Sequence, residues 1–457
     1  MKNISTAFIN SALNQDKIEY VLEWIKKKND ALKINVNKID FRKAKLWSIN
    51  NTDLKHDTGR FFKIEGVNVK TNDKVKEWDQ PIINQNEIGY LGFIIKKIDG
   101  VLKFLVQAKV EPGNINFVQL SPSVQATKSN YNKVHEGRSP YYLNYFQNVK
   151  RENIIVDQLH SEQGSRFLKK RNRNTIIYVD DEIKLNDNFL WLTLGQLNKL
   201  IQLNNVVNMD SRTVLSCIQY FNNSQTNEAY ILNLKNKIFL NSYIEEFCMN
   251  SIEDILMFVT SQKFKKSLQI TKKKIINLDN WSIEKDQIIH TSKRFFKVIA
   301  VDVEIEGREV SLWSQPMIEP LEDGICVFIC KRINGVLHIA IQSKVECGSF
   351  DTLELAPSIQ TSITDEKTYS DEEIPFISFI QEKKGIVIHD SFQSEEGGRF
   401  YKEQNRNVII ESDSIPLELP ENFIWLTLSQ LNYFTKFNNI LNIQTRNLIP
   451  LFPYEYE

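Results

Sequence analysis

The sequence predicts an α+β protein built by tandem duplication of one mixed α/β unit, and three observations support this class. The run QAKVEPGNINFVQLSPSVQAT, which begins at Gln107, is matched by QSKVECGSFDTLELAPSIQT, which begins at Gln342. Six of the seven Trp residues pair at an offset of 234 or 235 residues. The dipeptides Asp-Gly at 99–100 and Asn-Gly at 334–335 each separate two apolar runs, which is typical of a hairpin. Antiparallel hairpins with helices at the ends favour an α+β sandwich over a doubly wound parallel sheet.

The elements of the first unit follow from the spacing of its apolar residues. Residues 14–28 carry apolar side chains at helical spacing, which predicts an amphipathic helix. Extended apolar runs predict strands at 60–69, 89–98, 101–110 and 117–127. Thr193 and Gln196 form a predicted capping box at the start of a later helix. A short helix is expected from Ser211 to Phe221.

The second unit repeats this order, which predicts the domain organisation. SEEGGRF at 394–400 corresponds to SEQGSRF at 161–167. The polar stretch at 222–235 is predicted to be a linker. We therefore expect a first repeat at 1–221, which we predict to be the catalytic half, and a second repeat at 236–457. Two copies are too few for a solenoid, so a face-to-face pair is expected.

Composition excludes several classes of partner and compartment. The formal net charge of the 457 residues is zero, which provides no electrostatic argument for a nucleic-acid or membrane partner. The N-terminus lacks the apolar core of a signal peptide, and no run approaches the ~20 apolar residues of a membrane helix. The five scattered Cys are expected to be buried thiols in a reducing cytosol. The predicted location is the cytoplasm.

The chain lacks the common signatures of cofactor chemistry. It contains no G-x-G-x-x-G, P-loop, H-E-x-x-H or G-x-S-x-G motif. The sequence therefore offers no argument for NAD, ATP, zinc or a serine nucleophile. We expect either chemistry without a dedicated cofactor or metal, or simple binding.

The repeated SEQGSRF and SEEGGRF motifs are candidate anion sites. Each places a carboxylate (Glu162, Glu395) and a guanidinium (Arg166, Arg399) around a Gly. Arginine with nearby amides is a common phosphate cradle, and an internal Arg–Glu pair at a turn is the alternative. The basic run KKRNRN at 169–174 either grips a diphosphate or forms a solvated loop.

Two further features leave structural and functional alternatives open. Trp47 and Trp281 either stack on a base or sugar or pack in the core of their own repeat. The segment with Tyr131, His135, Tyr141 and Tyr142 belongs to the first repeat alone. Because His titrates near neutral pH and Tyr can carry a proton, these four are acid/base candidates, and a Tyr-rich surface loop is the alternative.

Several of these motifs together resemble one family. EPGN, QLSPSVQATKSNY, HEGRSPYYLNYF, SEQGSRF, KRNRN and WLTLGQL resemble the nucleoside-diphosphate-hexose 2,3-dehydratase family, over nearly the whole chain. The resemblance implies a homodimer in which each subunit carries two Nudix-like α/β sandwich domains and no metal. The implied substrate is a dTDP-4-keto-6-deoxyhexose, which loses the hydroxyl at carbon 2 and the proton at carbon 3. The implied product is a 3,4-diketo-2,6-dideoxy sugar nucleotide for a partner 3-ketoreductase in deoxysugar biosynthesis.

The resemblance also implies roles for individual residues. Tyr131, His135 and Glu162 are the candidate acid or base, and the residues leave their order open. The residues expected to bind substrate in the first half are Trp47, Arg60, Ser123, Gln125, Asn130, Ser161, Arg166, Arg173 and Asn174. Those expected in a second site, which is catalytic or only binds, are Trp281, Arg294, Gln360, Ser394, Arg399 and Arg406.

Two other functions remain in view from the sequence. A pair of nucleotide-sugar-binding domains without chemistry is the alternative to a lyase. A Nudix-type hydrolase ranks last, because hydrolysis of the diphosphate needs clustered metal-binding carboxylates and no such motif is present.

Overall fold

A computed structural model describes residues 4–14, 16–127, 140–220, 242, 248–306, 311–363 and 368–454. The helices in these ranges are α1 (Ile4–Leu13), α2 (Glu19–Asp30), α3 (Leu143–Gln147), α4 (Leu194–Ile201), α5 (Met209–Leu215), α6 (Ile252–Lys265), α7 (Ser378–Gln381), α8 (Leu428–Phe434) and α9 (Ile443–Leu448). None of the described helices has the length and apolar character needed to cross a membrane.

Two large sheets of seven strands have the same topology, one in each repeat. The first contains β6 (Gly89–Ile98), β7 (Val101–Val110), β8 (Val118–Pro122), β9 (Val124–Ala126), β10 (Ile154–Ser161), β11 (Arg171–Tyr178) and β12 (Phe189–Thr193). The second contains β18 (Asp323–Ile333), β19 (Val336–Lys344), β20 (Glu354–Ala356), β21 (Ile359–Ile363), β22 (Ile386–Ser394), β23 (Gln404–Glu411) and β24 (Phe423–Thr427). Both are mixed, because β11 runs parallel to β6 and β23 runs parallel to β18.

Two small sheets of five strands exchange one strand between the repeats. The first contains β2 (Trp47–Ile49), β3 (Asp53–His56), β4 (Lys63–Thr71), β5 (Glu77–Asn84) and, from the second repeat, β13 (Leu268–Lys273). The other contains β14 (Trp281–Ile283), β15 (Gln287–His290), β16 (Phe296–Ile305), β17 (Leu312–Pro320) and, from the first repeat, β1 (Ile34–Ile39). Neither repeat therefore completes its small sheet alone.

Local signals in the sequence account for the turns and helix starts. Asp99 and Gly100 both have positive φ, 51° and 83°, as the tight turn between β6 and β7 requires. Thr193 accepts a hydrogen bond from the Gln196 amide and the Gln196 side chain accepts from the Thr193 amide, which confirms the predicted capping box. The predicted helix at 14–28 is present as α2, which begins at Glu19.

The main hydrophobic core is formed by side chains of both large sheets and of the helices that pack on them. It joins Phe93 and Phe104 of the first repeat to Phe328 and Phe434 of the second in one buried cluster. This duplicated, sheet-rich architecture agrees with the predicted α+β class. The five cysteines are present as thiols, and four of them are buried.

Some predictions fall on residues outside the described ranges. Tyr131, His135 and Asn130 lie within 128–139, and the predicted linker at 222–235 lies within 221–241. The assignments made for these residues, and the predicted domain boundaries, stay predictions.

Candidate functional site: two polar clusters between the repeats

The EPGN and ECGS turns contact the SEEGGRF and SEQGSRF loops. Each contact joins a turn of one repeat to a loop of the other. The amide of Gly113, in the EPGN turn, donates to the carbonyl of Gly397 in SEEGGRF at 2.8 Å. In the matching contact the amide of Gly348, in the ECGS turn, donates to the carbonyl of Gly164 in SEQGSRF at 2.5 Å. Each motif loop is thus held by the turn of the other repeat.

Glycine is required where these turns and loops touch. A Cβ atom added at Gly113 would lie 1.7 Å from the carbonyl oxygen of Phe400. A Cβ atom at Gly348 would lie 1.7 Å from the carbonyl oxygen of Phe167. A side chain at either position would force the two backbones apart.

Two polar clusters result, related by the duplication. The first-half cluster consists of Glu111, Glu162, Lys170, Asn172, Asp210 and, from the second repeat, Glu396. The second-half cluster consists of the matching residues Glu346, Glu395, Glu403, Asn405, Gln444 and, from the first repeat, Gln163. Each cluster therefore contains one side chain from the opposite repeat.

Glu162 is the central carboxylate of the first-half cluster. It leaves the end of β10, and its side chain is only 6% exposed. Its Oε1 accepts from Asn172 Nδ2 at 2.5 Å, and its Oε2 has no hydrogen-bond partner among the described residues. Lys170, which precedes β11, is also buried, and its ammonium donates to the carbonyl of Glu87.

Glu395 is the corresponding carboxylate of the second-half cluster, and its surroundings differ. Its Oε1 accepts from Gln444 Nε2 at 3.1 Å and from the Asn405 amide. Its Oε2 accepts from the Gln163 amide. Three amides thus satisfy Glu395, whereas one satisfies Glu162.

Burial and like charges perturb the carboxyls of the first-half cluster. Burial raises the pKa of Glu162 to about 7, against the opposing charges of Arg446 and Lys170. Burial, with repulsion from Glu111 and Glu162, raises the pKa of Glu396 to about 7. Burial and the charges of Glu162 and Glu396 raise the pKa of Asp210 well above its usual range. Buried carboxyls with pKa values near 7, such as those of Glu162 and Glu396, are suited to proton transfer.

Two pairs of predicted binding residues adjoin the clusters. Gln125 Nε2 donates to Glu111 Oε1 at 2.9 Å, and Gln360 Nε2 makes the matching bond to Glu346 at 3.0 Å. The Ser161 hydroxyl donates to Glu354 Oε2 at 3.0 Å across the boundary between repeats. Ser394 Oγ accepts from Gln119 Nε2 at 2.8 Å in the reciprocal place.

The two motif arginines stack on aromatic rings of the opposite repeat. The Arg166 guanidinium lies 4.2 Å from the centre of the Phe296 ring, and Arg399 lies 4.1 Å from that of Phe62. Arg399 also donates to Gln85 Oε1 at 3.3 Å. These stacking contacts differ from the internal Arg–Glu pair that was the structural alternative.

Three predicted binding residues have packing roles in the structure. Trp47 is 8% exposed in a hydrophobic cluster, and its indole N–H donates to the carbonyl of Ser314 at 2.7 Å. The indole of Trp281 donates to the carbonyl of Asp79 at 2.8 Å. Buried Ser123 links two strands, because its hydroxyl accepts from the Ile94 amide and donates to the Leu105 carbonyl. These positions favour the packing alternative for both tryptophans.

The remaining predicted binding residues are not members of either cluster. Arg173 pairs with Asp157 at 2.6 and 2.7 Å on the face of β11 opposite Asn172. Arg406 makes the matching pair with Asp390 in the second repeat, at 2.9 and 2.6 Å. The other placements follow: Arg294 pairs with Glu322, Arg60 is exposed, and Asn174 is buried on the same face of β11 as Asn172.

Sequence reasoning missed three differences that distinguish the clusters. At matching positions of the two repeats, Asp210 corresponds to Gln444, Glu396 corresponds to Gln163, and Lys170 corresponds to Glu403. Each pair is visible when the two repeats are aligned. The motifs stand out through residues that recur, whereas the clusters differ at positions where an ionisable residue in one repeat corresponds to an amide or an opposite charge in the other.

Comparison with known proteins gives one family for both repeats. A family model described as NDP-hexose 2,3-dehydratase matches residues 18–218 and again residues 252–452. A protein of Saccharopolyspora spinosa named dTDP-4-dehydro-6-deoxy-alpha-D-glucopyranose 2,3-dehydratase is 40% identical over 434 residues, which are 93% of this chain and 89% of that protein. Proteins of the same name from Amycolatopsis orientalis and Streptomyces violaceoruber are 36% and 34% identical, over 95% and 93% of this chain and 90% and 95% of their own lengths.

Proposed function

Because this chain belongs to the NDP-hexose 2,3-dehydratase family, we infer that it removes water across carbons 2 and 3 of a dTDP-4-keto-6-deoxyhexose. The product is a 3,4-diketo-2,6-dideoxy sugar nucleotide in deoxysugar biosynthesis. The observation that carries this inference is the match of one family model to both repeats, together with named relatives at 34–40% identity over nearly the full length.

The chemistry requires acid and base groups at defined places. The ketone at carbon 4 acidifies the proton on carbon 3, so a base near that proton and donors near the enolate oxygen are needed. The hydroxyl at carbon 2 leaves more readily when an acid protonates it. The carboxyls of the first-half cluster, with pKa values of Glu162 and Glu396 near 7, support such a role.

We assign the chemistry to the first half of the chain. Glu162 is our candidate for one proton-transfer group, and Tyr131 and His135 are the candidates for the other. Gln125, Ser161 and the motif arginines are proposed to hold the substrate at or near the cluster. The second-half cluster is proposed to bind a nucleotide sugar without turning it over.

Further properties are proposals that the family resemblance supports. Each repeat is proposed to be a Nudix-like domain, with boundaries at 1–221 and 236–457. The chain is proposed to act in the cytoplasm as a homodimer without a metal. A 3-ketoreductase is the proposed partner that consumes the product.

The test is to incubate the purified protein with freshly made dTDP-4-keto-6-deoxyglucose and a chelator, and to follow the sugar nucleotide by mass spectrometry. We expect a loss of 18 Da, trapped with a 3-ketoreductase, or dTDP release that depends on the keto-sugar. Tight binding without either signal would indicate a nucleotide-sugar-binding protein instead. Activity that disappears with the chelator and returns with a divalent metal would contradict the metal-free proposal.

A further inference from the structure

The two motif loops meet where the repeats join, and their arginines cross to the opposite repeat. The rings of Phe167 and Phe400, which follow the arginines in the chain, pack against each other with their centres 5.7 Å apart. Arg399 of the second repeat stacks on Phe62 of the first, and Arg166 makes the matching contact in the other direction. Each guanidinium therefore lies against the repeat that did not supply it.

A continuous chain of contacts joins Arg399 to the first-half cluster. Its Nε donates to Gln85 Oε1 at 3.3 Å, and Gln85 Nε2 donates to Glu87 Oε1 at 2.9 Å. The carbonyl of Glu87 accepts from the Lys170 ammonium, and the carbonyl of Lys170 accepts from the Glu162 amide at 3.0 Å. Gln85 is only 5% exposed, so the link next to the arginine is shielded from solvent.

Arg166 adjoins the other cluster through its own loop. A Cβ atom added at Gly164, two residues before this arginine, would lie 2.9 Å from the Cβ atom of Glu346 in the second-half cluster. Glu162 and Arg166 of one motif thus belong to different clusters. The sequence had grouped these two residues in one site, and the tertiary structure separates them.

The charges of the two arginines follow the same division. Burial raises the pKa of Glu396 in the first-half cluster, and the charge of Arg399 opposes this rise. Burial likewise raises the pKa of Glu403 in the second-half cluster, where the charge of Arg166 opposes it. Each arginine therefore acts on the cluster of the half to which it crosses.

Arg399 keeps hydrogen-bond donors available for a ligand. Among the described residues, its hydrogen bonds go to two neutral oxygens, those of the Gln85 amide and of the Gly398 carbonyl at 2.9 Å. A guanidinium has five N–H donors in a planar fork, and stacking on Phe62 fixes its orientation. A half-buried arginine held in this way is suited to a bidentate contact with phosphate oxygens.

We propose that Arg399, from the second repeat, binds the diphosphate of the sugar nucleotide at the first-half cluster, and that Arg166 binds a diphosphate at the second-half cluster. The proposal deepens the dehydratase function and rests on it. The candidate catalytic site is then built from both repeats, because Glu162 comes from one and Arg399 from the other. Arg399 holds the substrate and takes no part in proton transfer.

The test measures dTDP as a competitive inhibitor of keto-sugar turnover, from initial rates with a 3-ketoreductase present, in the wild type, Arg399→Met and Arg166→Met. Methionine keeps an unbranched apolar stem but cannot contact phosphate. We expect Arg399→Met to raise the Ki of dTDP and the KM of the substrate at least ~10-fold, with a smaller change in kcat. The rises caused by Arg166→Met should be several times smaller, because this arginine lies at the other cluster. Equal rises, or larger ones in Arg166→Met, overturn the proposal.

A second inhibitor tests the chemical group that Arg399 contacts. Thymidine lacks the diphosphate, so its Ki in Arg399→Met should change much less than that of dTDP. Similar changes for the two inhibitors would show that Arg399 does not contact the diphosphate and would overturn the proposal.

Two further variants separate this effect from a loss of structure. Arg151→Met removes an exposed arginine that belongs to neither cluster, so its turnover and its Ki for dTDP should equal those of the wild type. Arg399→Lys keeps the positive charge and loses the planar fork, so its Ki should lie between those of the wild type and Arg399→Met. If thermal unfolding shows that Arg399→Met does not fold, the comparison of Arg399→Lys with Arg166→Lys decides the test.

Failure of the proposed function is recognised separately. If the wild type gives neither the 18 Da loss nor dTDP release, the dehydratase assignment fails, and the place of Arg399 in a catalytic site fails with it. If the wild type turns over normally and the Ki of dTDP in Arg399→Met equals that of the wild type, only the role of the arginine is wrong.

Discussion

The first-half and second-half clusters have the same backbone and differ in three side chains. Both are built from a turn, a motif loop and the start of a short helix, and both receive one residue from the opposite repeat. Three amides donate to Glu395, whereas Asn172 alone among the described residues donates to Glu162. Each cluster nevertheless holds a buried carboxyl whose pKa is raised to about 7, Glu162 in the first half and Glu403 in the second. Duplication thus preserved the framework, while the three changes decide at which position that carboxyl lies and how many donors reach the central carboxylate.

We expect the largest effect on turnover, from replacing Glu162 and not from replacing Glu395. Glu162→Gln removes the transferable proton with little change in size, so we expect kcat to fall at least ~100-fold, the usual contribution of such a group. Glu395→Gln should instead reduce stability, because a new amide would face the three amides that now donate to it, at a cost of about 1–3 kcal/mol. Turnover and thermal unfolding of both variants check the contrast. The reverse pattern would assign the chemistry to the second half.

A smaller effect is expected in the pH dependence of stability. The pKa of Glu396 is raised from its ordinary 4.5 to about 7, so the folded state holds a proton that the unfolded chain releases. The free energy of unfolding therefore falls as pH rises from about 4.5 to about 7 and is level above that. Glu396→Gln should stabilise the protein at pH 8 by about 1–3 kcal/mol and much less at pH 5. Denaturant unfolding at both pH values measures this.

The matched control for that experiment lies in the other cluster. Gln163→Glu places a further carboxylate beside Glu395 and removes one of its donors, so it should destabilise the protein at pH 8 more than at pH 5. An equal effect at the two pH values would mean that packing, and not charge, distinguishes the clusters.

We expect the two stacked arginines to make equally strong contacts with their aromatic rings, although the clusters beside them differ in charge. Arg399 on Phe62 and Arg166 on Phe296 have nearly the same distance to the ring, 4.1 and 4.2 Å. Double-mutant cycles with Arg→Lys and Phe→Leu should give coupling energies of about 0.5–2 kcal/mol in both places. Unequal coupling would show that the charges of the clusters, and not the stacking, determine the strength of these contacts.

The smallest effect is expected from cutting the chain between the repeats. β1 belongs to a sheet of the second repeat and β13 to a sheet of the first, so the halves are interlocked. A specific protease site placed within 222–235 should yield two fragments that still elute as one species. Their separation without denaturant would contradict the strand exchange. The uncut protein under the same conditions is the control.

Short-range signals were readable from the sequence in several places. The Asp99-Gly100 turn, the capping box at Thr193 and Gln196, and the duplication itself depend on neighbours along the chain or on identity between copies. Trp47 was ambiguous, because a recurring aromatic residue is equally compatible with stacking on a ligand and with packing. Its packing was decided by residues distant in sequence, because its indole donates to the Ser314 carbonyl and its cluster joins residues of both repeats.

The sequence by itself determined the repeat, the sheet-rich class, the family resemblance and the importance of the EPGN and SEQGSRF motifs. Only the tertiary structure decided that the turn of one repeat holds the loop of the other, as in the contact of Gly113 with Gly397. It also placed Asp210 and Glu396 beside Glu162. The physical reason is that hydrogen bonding and burial of charge depend on distance in space, and the residues that set them here are far apart along the chain.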